Sequence, residues 1–141
     1  MRLVDGPLKP GLIADIIAGC GDNPDTGAHA LFLGQVRKDQ VEGRNVKAID
    51  YSAYEEMVIM EANKINKTIL SEFEDVKIFE IIHSRGLVMA GEISLLVMVS
   101  AGHRQQAFSA CGKAVELIKD KLPVWKKELY DDDSGRWKQN E

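Results

Sequence analysis

"ISLLVMVSAGHRQQAFSACGKAVELIKDKLP", residues 93–123, decides the fold. Its first nine residues are nearly all apolar, so 93–101 predicts a central, buried strand. From about 103 to 121 the apolar residues fall at helical spacing. Ala107, Cys111, Ala114 and Ile118 share one stripe, which predicts a long helix with that face inward. Pro123 ends it, because proline cannot continue the helical hydrogen-bond ladder.

Working outward, "VKIFEIIH" (76–83) reads as a strand and "SRGLVMAGE" (84–92) as a turn with a short strand. A second long helix is expected over about 55–72, its inner stripe Val58, Ala62, Ile65 and Ile69. "VKAIDYSAY" (46–54) is a strand with Ile49, Tyr51 and Ala53 on one face. "RKDQVEGRN" (37–45) is polar and contains glycine, which predicts a mobile loop. "AHALFLGQV" (28–36) is another strand, and "NPDTG" (23–27) a turn. Leu12, Ile13, Ile16 and Ile17 lie at helical spacing over 11–18, with Pro10 at the start and Gly19 and Gly21 at the stop. The end of the chain, "YDDDSGRWKQNE", is a polar tail that carries Arg136 and Trp137. Strands and helices do not alternate regularly, which argues for an α+β fold over a doubly wound one.

The 141 residues suit one domain with a sizeable core. The formal net charge of −4 speaks against broad nucleic-acid or membrane-surface binding, since both want a basic face. No apolar run approaches the ~20 residues that span a bilayer. The N-terminus lacks the apolar core of a signal peptide, so a cytoplasmic location is expected.

Against this acidic background the cations stand out. His103 and Arg104 fall where the buried strand runs into the last helix. Free N–H groups and the positive dipole end favour an anion there, and a guanidinium adds a planar donor fork. Two readings stay open: a phosphate site, or a polar helix start with solvated side chains. Arg37 opens the polar loop at a strand end, either reaching a ligand or simply solvated.

"LIKDKLPVWKKE" (117–128) gathers Lys119, Lys121, Lys126 and Lys127 around Pro123 and Trp125. Lysines near a helix C-terminus can merely complement the dipole, and Lys121 and Lys127 suit that reading. Lys119 and Lys126 are different. Two ammonium groups close together, partly desolvated by the tryptophan, would depress one another's pKa, and such a lysine can move protons near neutrality. The sequence holds no GxSxG, HExxH or Gly-rich nucleotide loop. Cys20 and Cys111 lack metal or redox spacing, so neither zinc nor a disulfide is expected. Cys111 reads as buried, whereas Cys20 in "GCG" is expected to be more exposed.

Taken together, "FLGQVR" (32–37), "YSAYEEM" (51–57), "IIH…G…GE" (81–92), "SAGHRQQAF" (100–108), "K…LPVWKKE" (119–128) and "GRW" (135–137) resemble the large, catalytic subunit of molybdopterin synthase. The motifs occur in family order over most of 28–137. The chain departs from the family where it has "HSRG" (83–86) in place of HR-x-G, which leaves Arg85 without a role. Of the family's acidic pair only Glu92 remains.

The resemblance implies an α+β hammerhead-type domain over 1–141, with a mostly antiparallel sheet and two long helices. It implies sulfur transfer to cyclic pyranopterin monophosphate, forming the dithiolene of molybdopterin. The sulfur would come from a small ubiquitin-like partner ending in a Gly-Gly thiocarboxylate, with no metal and no cofactor. Two copies of the chain would form the core of a heterotetramer. Carried over to this sequence, Lys119 and Lys126 would be catalytic. Gln35, Val36, Arg37, His103, Arg104, Lys119, Lys126, Lys127 and Glu128 would contact substrate. Arg136 is a further possibility, and about 128–141 would be a polar tail that joins the site or the partner. A partner-supplied thiocarboxylate also fits a chain without a convincing reactive cysteine. The alternative is a non-catalytic module that uses the same cations to bind a phosphorylated metabolite or a ubiquitin-like tail.

Overall fold

The computed structural model describes residues 1–138. Its elements run β1 (Arg2–Asp5), α1 (Pro10–Gly19), β2 (Ala28–Gln35), β3 (Gln40–Val41), β4 (Arg44–Ala53), α2 (Glu55–Glu72), β5 (Val76–Met89), β6 (Ile93–Ala101), α3 (Arg104–Lys121), β7 (Val124–Tyr130) and β8 (Gly135–Lys138). The strands form an eight-stranded sheet in the order β2-β6-β5-β4-β7-β8, with β1 on β5 and β3 on β4. The β1–β5 pair is parallel and the other named pairs are antiparallel. This is the α+β architecture expected, with two long helices and a mostly antiparallel sheet.

Period-two alternation builds the core. Leu95, Val97 and Val99 of β6 and Ile81 of β5 point to the helices, where they meet Val58, Ala62, Ile65 and Ile69 of α2 and Ala107, Ala110, Ala114 and Ile118 of α3. Both predicted helix stripes are therefore buried as read. Each isoleucine removed from water contributes about 1.5–3 kcal/mol. The opposite face of the strands, through Ile82, Leu96 and Met98, packs on Leu8, Leu12, Ile13 and Ile16. Ile17 does not join them and is exposed, because the short α1 turns only one side to the sheet.

Four segments differ from the sequence reading. First, residues 84–92 are not a turn with a separate short strand. β5 runs unbroken to Met89 and changes partners: residues up to His83 pair with β6, and Gly86–Met89 pair with β4. Gly86, at φ 89°, lets the strand bend there without ending.

Second, half of the expected loop at 37–45 is a hairpin. Glu42 and Gly43 both take positive φ, the two-residue turn that matches strand twist, and they join β3 to β4. Third, the residues after Pro123 and the first part of the polar tail are largely sheet. β7 pairs along β4, and β8 folds back onto β7. In "VWKKELY" only Val124, Glu128 and Tyr130 are buried, so adjacent lysines conceal the alternation. Of the tail expected to join the site, residues 139–141 lie outside the described residues. Fourth, β1 carries no signal of its own and is a strand because β5 offers it an edge.

Both cysteines are buried. Cys20, expected to be more exposed, lies against Met98 and donates its thiol to the Ile16 carbonyl at 3.4 Å.

Candidate active site

A cleft of about 290 Å³ opens where the end of β2, strands β4 and β7, and the C-terminal end of α3 converge. From β2 and the residues after it come Gly34, Gln35, Val36, Arg37 and Asp39. Ile49, Tyr51 and Ser94 come from β4 and β6. Lys119, Lys126, Glu128 and Lys138 come from α3, β7 and β8. Six of the residues proposed from sequence thus meet in one place: Gln35, Val36, Arg37, Lys119, Lys126 and Glu128.

The rim on the β2 side is held by backbone. The β2–β6 register shifts between Gly34 and Gln35. Val36 N–H then donates to the Glu92 carbonyl at 2.9 Å, and Gly91 N–H donates to the Val36 carbonyl at 2.8 Å. Val36 is buried by this arrangement, while the Arg37 side chain is 84% exposed. Asp39 accepts from Arg37 Nε at 2.5 Å. That hydrogen bond and the carboxylate's charge raise the guanidinium pKa further.

The lysine pair comes together through the reversal at Leu122–Pro123. Leu122 N–H still closes the helix on the Ile118 carbonyl, and Val124 N–H turns back onto the Leu122 carbonyl. Lys119 thus ends α3 beside Lys126, the third residue of β7, rather than beside a lysine in a turn. Burial pushes Lys119 below the ordinary lysine range, and its hydrogen bond with Lys126 partly opposes this. The direction matches the sequence reading but the cause does not. Desolvation acts first. Nor does Trp125 provide it: alternation places Trp125 on the other side of β7 from Lys126, where it is exposed.

The floor is polar and mostly satisfied. Tyr51 Oη donates to Ser94 Oγ at 3.0 Å, and Tyr130 Oη donates to Glu128 Oε1 at 3.1 Å. Behind Tyr51, edge-to-face at 5.0 Å, stands His83. His83 is 3% exposed and donates from Nδ1 to the Ser84 carbonyl at 2.7 Å. Burial lowers its pKa to about 4; the bond to Ser84 works the other way, and the charges of Lys119 and Lys126 lower it further. His83 therefore stays neutral beside the lysines.

Four proposed residues are not in this cleft. Lys127 points to the opposite face of β7 and sits 5.7 Å over the Trp137 ring. Arg136 stands across from Glu128 in the β7–β8 pairing but is exposed and does not line the cleft. His103 and Arg104 begin α3, the end opposite Lys119. Fifteen helical residues at ~1.5 Å each separate Arg104 from Lys119 by about 22 Å. Tyr51, Ser94, Asp39, Lys138 and His83 were missed as site residues. Of these, Tyr51 and His83 carried a sequence signal, since both fall in the family-like stretches at 51–57 and 81–92. The described residues hold no group of three or more His, Cys, Asp or Glu able to bind a metal ion.

The chain's relatives bear on this cleft. Residues 3–121 match the model of the MoaE protein family. The molybdopterin synthase catalytic subunit of Dictyostelium discoideum is 44% identical over 117 residues, which span 82% of this chain and 73% of that protein. The protein of the same name from Drosophila willistoni is 38% identical over 99% of this chain, but this chain spans only 37% of its length. The crystal structure of molybdopterin synthase from Staphylococcus aureus superposes with a TM-score of 0.83 at 29% identity, covering 96% of this chain and 94% of that one. The family match covers most of the chain and its fold agrees: this chain belongs to the MoaE protein family.

Proposed function

We propose that this chain is the catalytic subunit of a molybdopterin synthase. It moves sulfur from the C-terminal thiocarboxylate of a small ubiquitin-like partner onto cyclic pyranopterin monophosphate. The observation that carries the reading is the partly buried Lys119 hydrogen-bonded to Lys126 in a cleft that also presents Arg37 and Lys138. Both reactants are anions, and these cations suit both. Each sulfur delivered replaces one substrate oxygen: thiocarboxylate enters, carboxylate leaves, and protons must be supplied and taken up. A lysine lowered by burial and sharing a hydrogen bond with a second lysine is suited to that traffic. Neutral His83 adds no competing charge, and the buried Glu128 with Tyr130 fixes the far wall.

The reading needs a second copy. His103 and Arg104 lie too far along α3 to share one small ligand with Lys119 of the same chain. In a two-fold dimer they would reach the cleft of the mate and hold the phosphate there. Lys127, Glu128 and Arg136 would complete contacts with substrate or partner. A cytoplasmic location is proposed with this function; no helix among the described residues is long and apolar enough to cross a membrane. The test is incubation with cyclic pyranopterin monophosphate and a thiocarboxylated partner. Dithiolene product is expected, and its absence with folded, dimeric protein overturns the reading.

A further inference from the structure

The N-terminus of α3 already holds an anion from its own chain. Asp75, in the turn between α2 and β5, places Oδ2 2.8 Å from the His103 backbone nitrogen and 3.2 Å from Nδ1 of its ring. The His103 side chain makes no cap of its own, and Asp75 accepts from the N-cap's own N–H, the bond that a capping-box glutamate at the third helical position would receive. The carboxylate is held in turn. Asp75 N–H donates to Gln106 Oε1 at 2.9 Å, and Gly102 N–H donates to the Asp75 carbonyl at 3.1 Å. A β-carbon at Gly102 would lie 2.5 Å from Asp75 Oδ1, so the glycine makes room for the carboxylate.

A cap needs only the backbone N–H. The bond to the ring does something more. A carboxylate can only accept, so Nδ1 must carry a proton, and Nε2 is the nitrogen left to face outward. A side chain that is 88% exposed is thereby held in one orientation. Partial burial works to raise the Asp75 carboxyl, but the His103 hydrogen bonds prevail and hold it below the ordinary carboxylate range.

We propose that Asp75 is a positioning residue: it holds the His103 ring by Nδ1–H with Nε2 turned outward, so that Nε2 is the nitrogen that takes up a proton and donates it to the substrate phosphate in the mate's cleft beside Arg104. This rests on the role given to His103 above. The carboxylate stands behind the ring and leaves free the nitrogen that would meet the ligand.

The chain has three histidines, so ring-nitrogen NMR of histidine-labelled protein can follow each one. Wild type should show the neutral His103 ring in the Nδ1–H tautomer. Asp75→Ala should convert it to the commoner Nε2–H form and raise KM for cyclic pyranopterin monophosphate about tenfold, with kcat within about threefold. Asp75→Asn keeps an acceptor for the cap and removes the charge. It should fold as wild type and raise KM by an intermediate factor, which keeps the test decisive if the alanine variant fails to fold. An unchanged tautomer and KM in the variants, with KM raised in His103→Ala, overturns the role of Asp75 and leaves that of His103 standing. An unchanged KM in His103→Ala overturns both.

Discussion

Lys119, in the last turn of α3, shares a hydrogen bond with Lys126 across the reversal that starts β7, and burial lowers its pKa. Two like charges meet there because a helix end and a strand start are joined by only two residues. Lys119→Ala should therefore reduce dithiolene formation by about 10²–10⁴-fold while the protein stays folded. Lys126→Ala should both slow turnover and weaken binding of substrate. Product assays beside circular dichroism check this, and retention of turnover within about twofold of wild type removes Lys119 from catalysis. Loss of affinity with turnover retained would instead favour the non-catalytic binding module.

His83 makes stability depend on pH. Its folded pKa is about 4, from an ordinary 6.5, chiefly because it is buried. Between those values the unfolded chain binds more protons than the folded one, so stability falls as pH drops from about 6.5 to about 4, by roughly 3 kcal/mol in all. His83→Phe should flatten that part of the profile. It should also lose about 1–3 kcal/mol at neutral pH, because the Ser84 carbonyl loses its donor. Urea denaturation over this pH range measures both; parallel wild-type and variant curves would show that His83 is not the titrating group.

Replacing Cys20 and Cys111 together by alanine or serine should leave sulfur transfer largely intact. Both thiols are buried away from the cleft, and burial raises that of Cys111, which keeps it protonated. Loss of transfer by a variant that still folds would point to a persulfide on this chain.

Mixing two inactive variants, Arg104→Ala and Lys119→Ala, should restore activity as subunits exchange. A mixed dimer holds one site with both defects and one with neither. If labelled subunits are seen to exchange and no product forms, each chain builds its site alone.

Gly102→Ala should cost about 1–3 kcal/mol, because the new β-carbon meets the Asp75 carboxylate, which is held at its backbone by Gln106. Chemical denaturation should detect this loss. A variant as stable as wild type would show that the turn before β5 can shift.

The elements with strong periodicity were legible without coordinates. The apolar run at 93–101 became the buried β6, and the helical stripes at 58–69 and 107–118 became the inner faces of α2 and α3. Burial imposes those patterns locally, so they survive in a single chain of letters. The cations were legible too, because lysines clustered around a proline in an acidic protein are conspicuous wherever they end up.

Only tertiary structure decided the rest. β7 gives no strand signal because Lys126 and Lys127 hide its alternation; it is a strand because β4 offers it a partner. β5 continues through Gly86 because a second strand takes over the pairing where the first leaves off. Ser94 lies in no motif, and Tyr51 and His83 lie in family-like stretches that say nothing of their neighbours; what brings all three to the lysines is long-range strand register. The sequence also could not show that Asp75 serves His103. Twenty-eight residues separate them, and only the packing of α2 and β5 against α3 closes that gap.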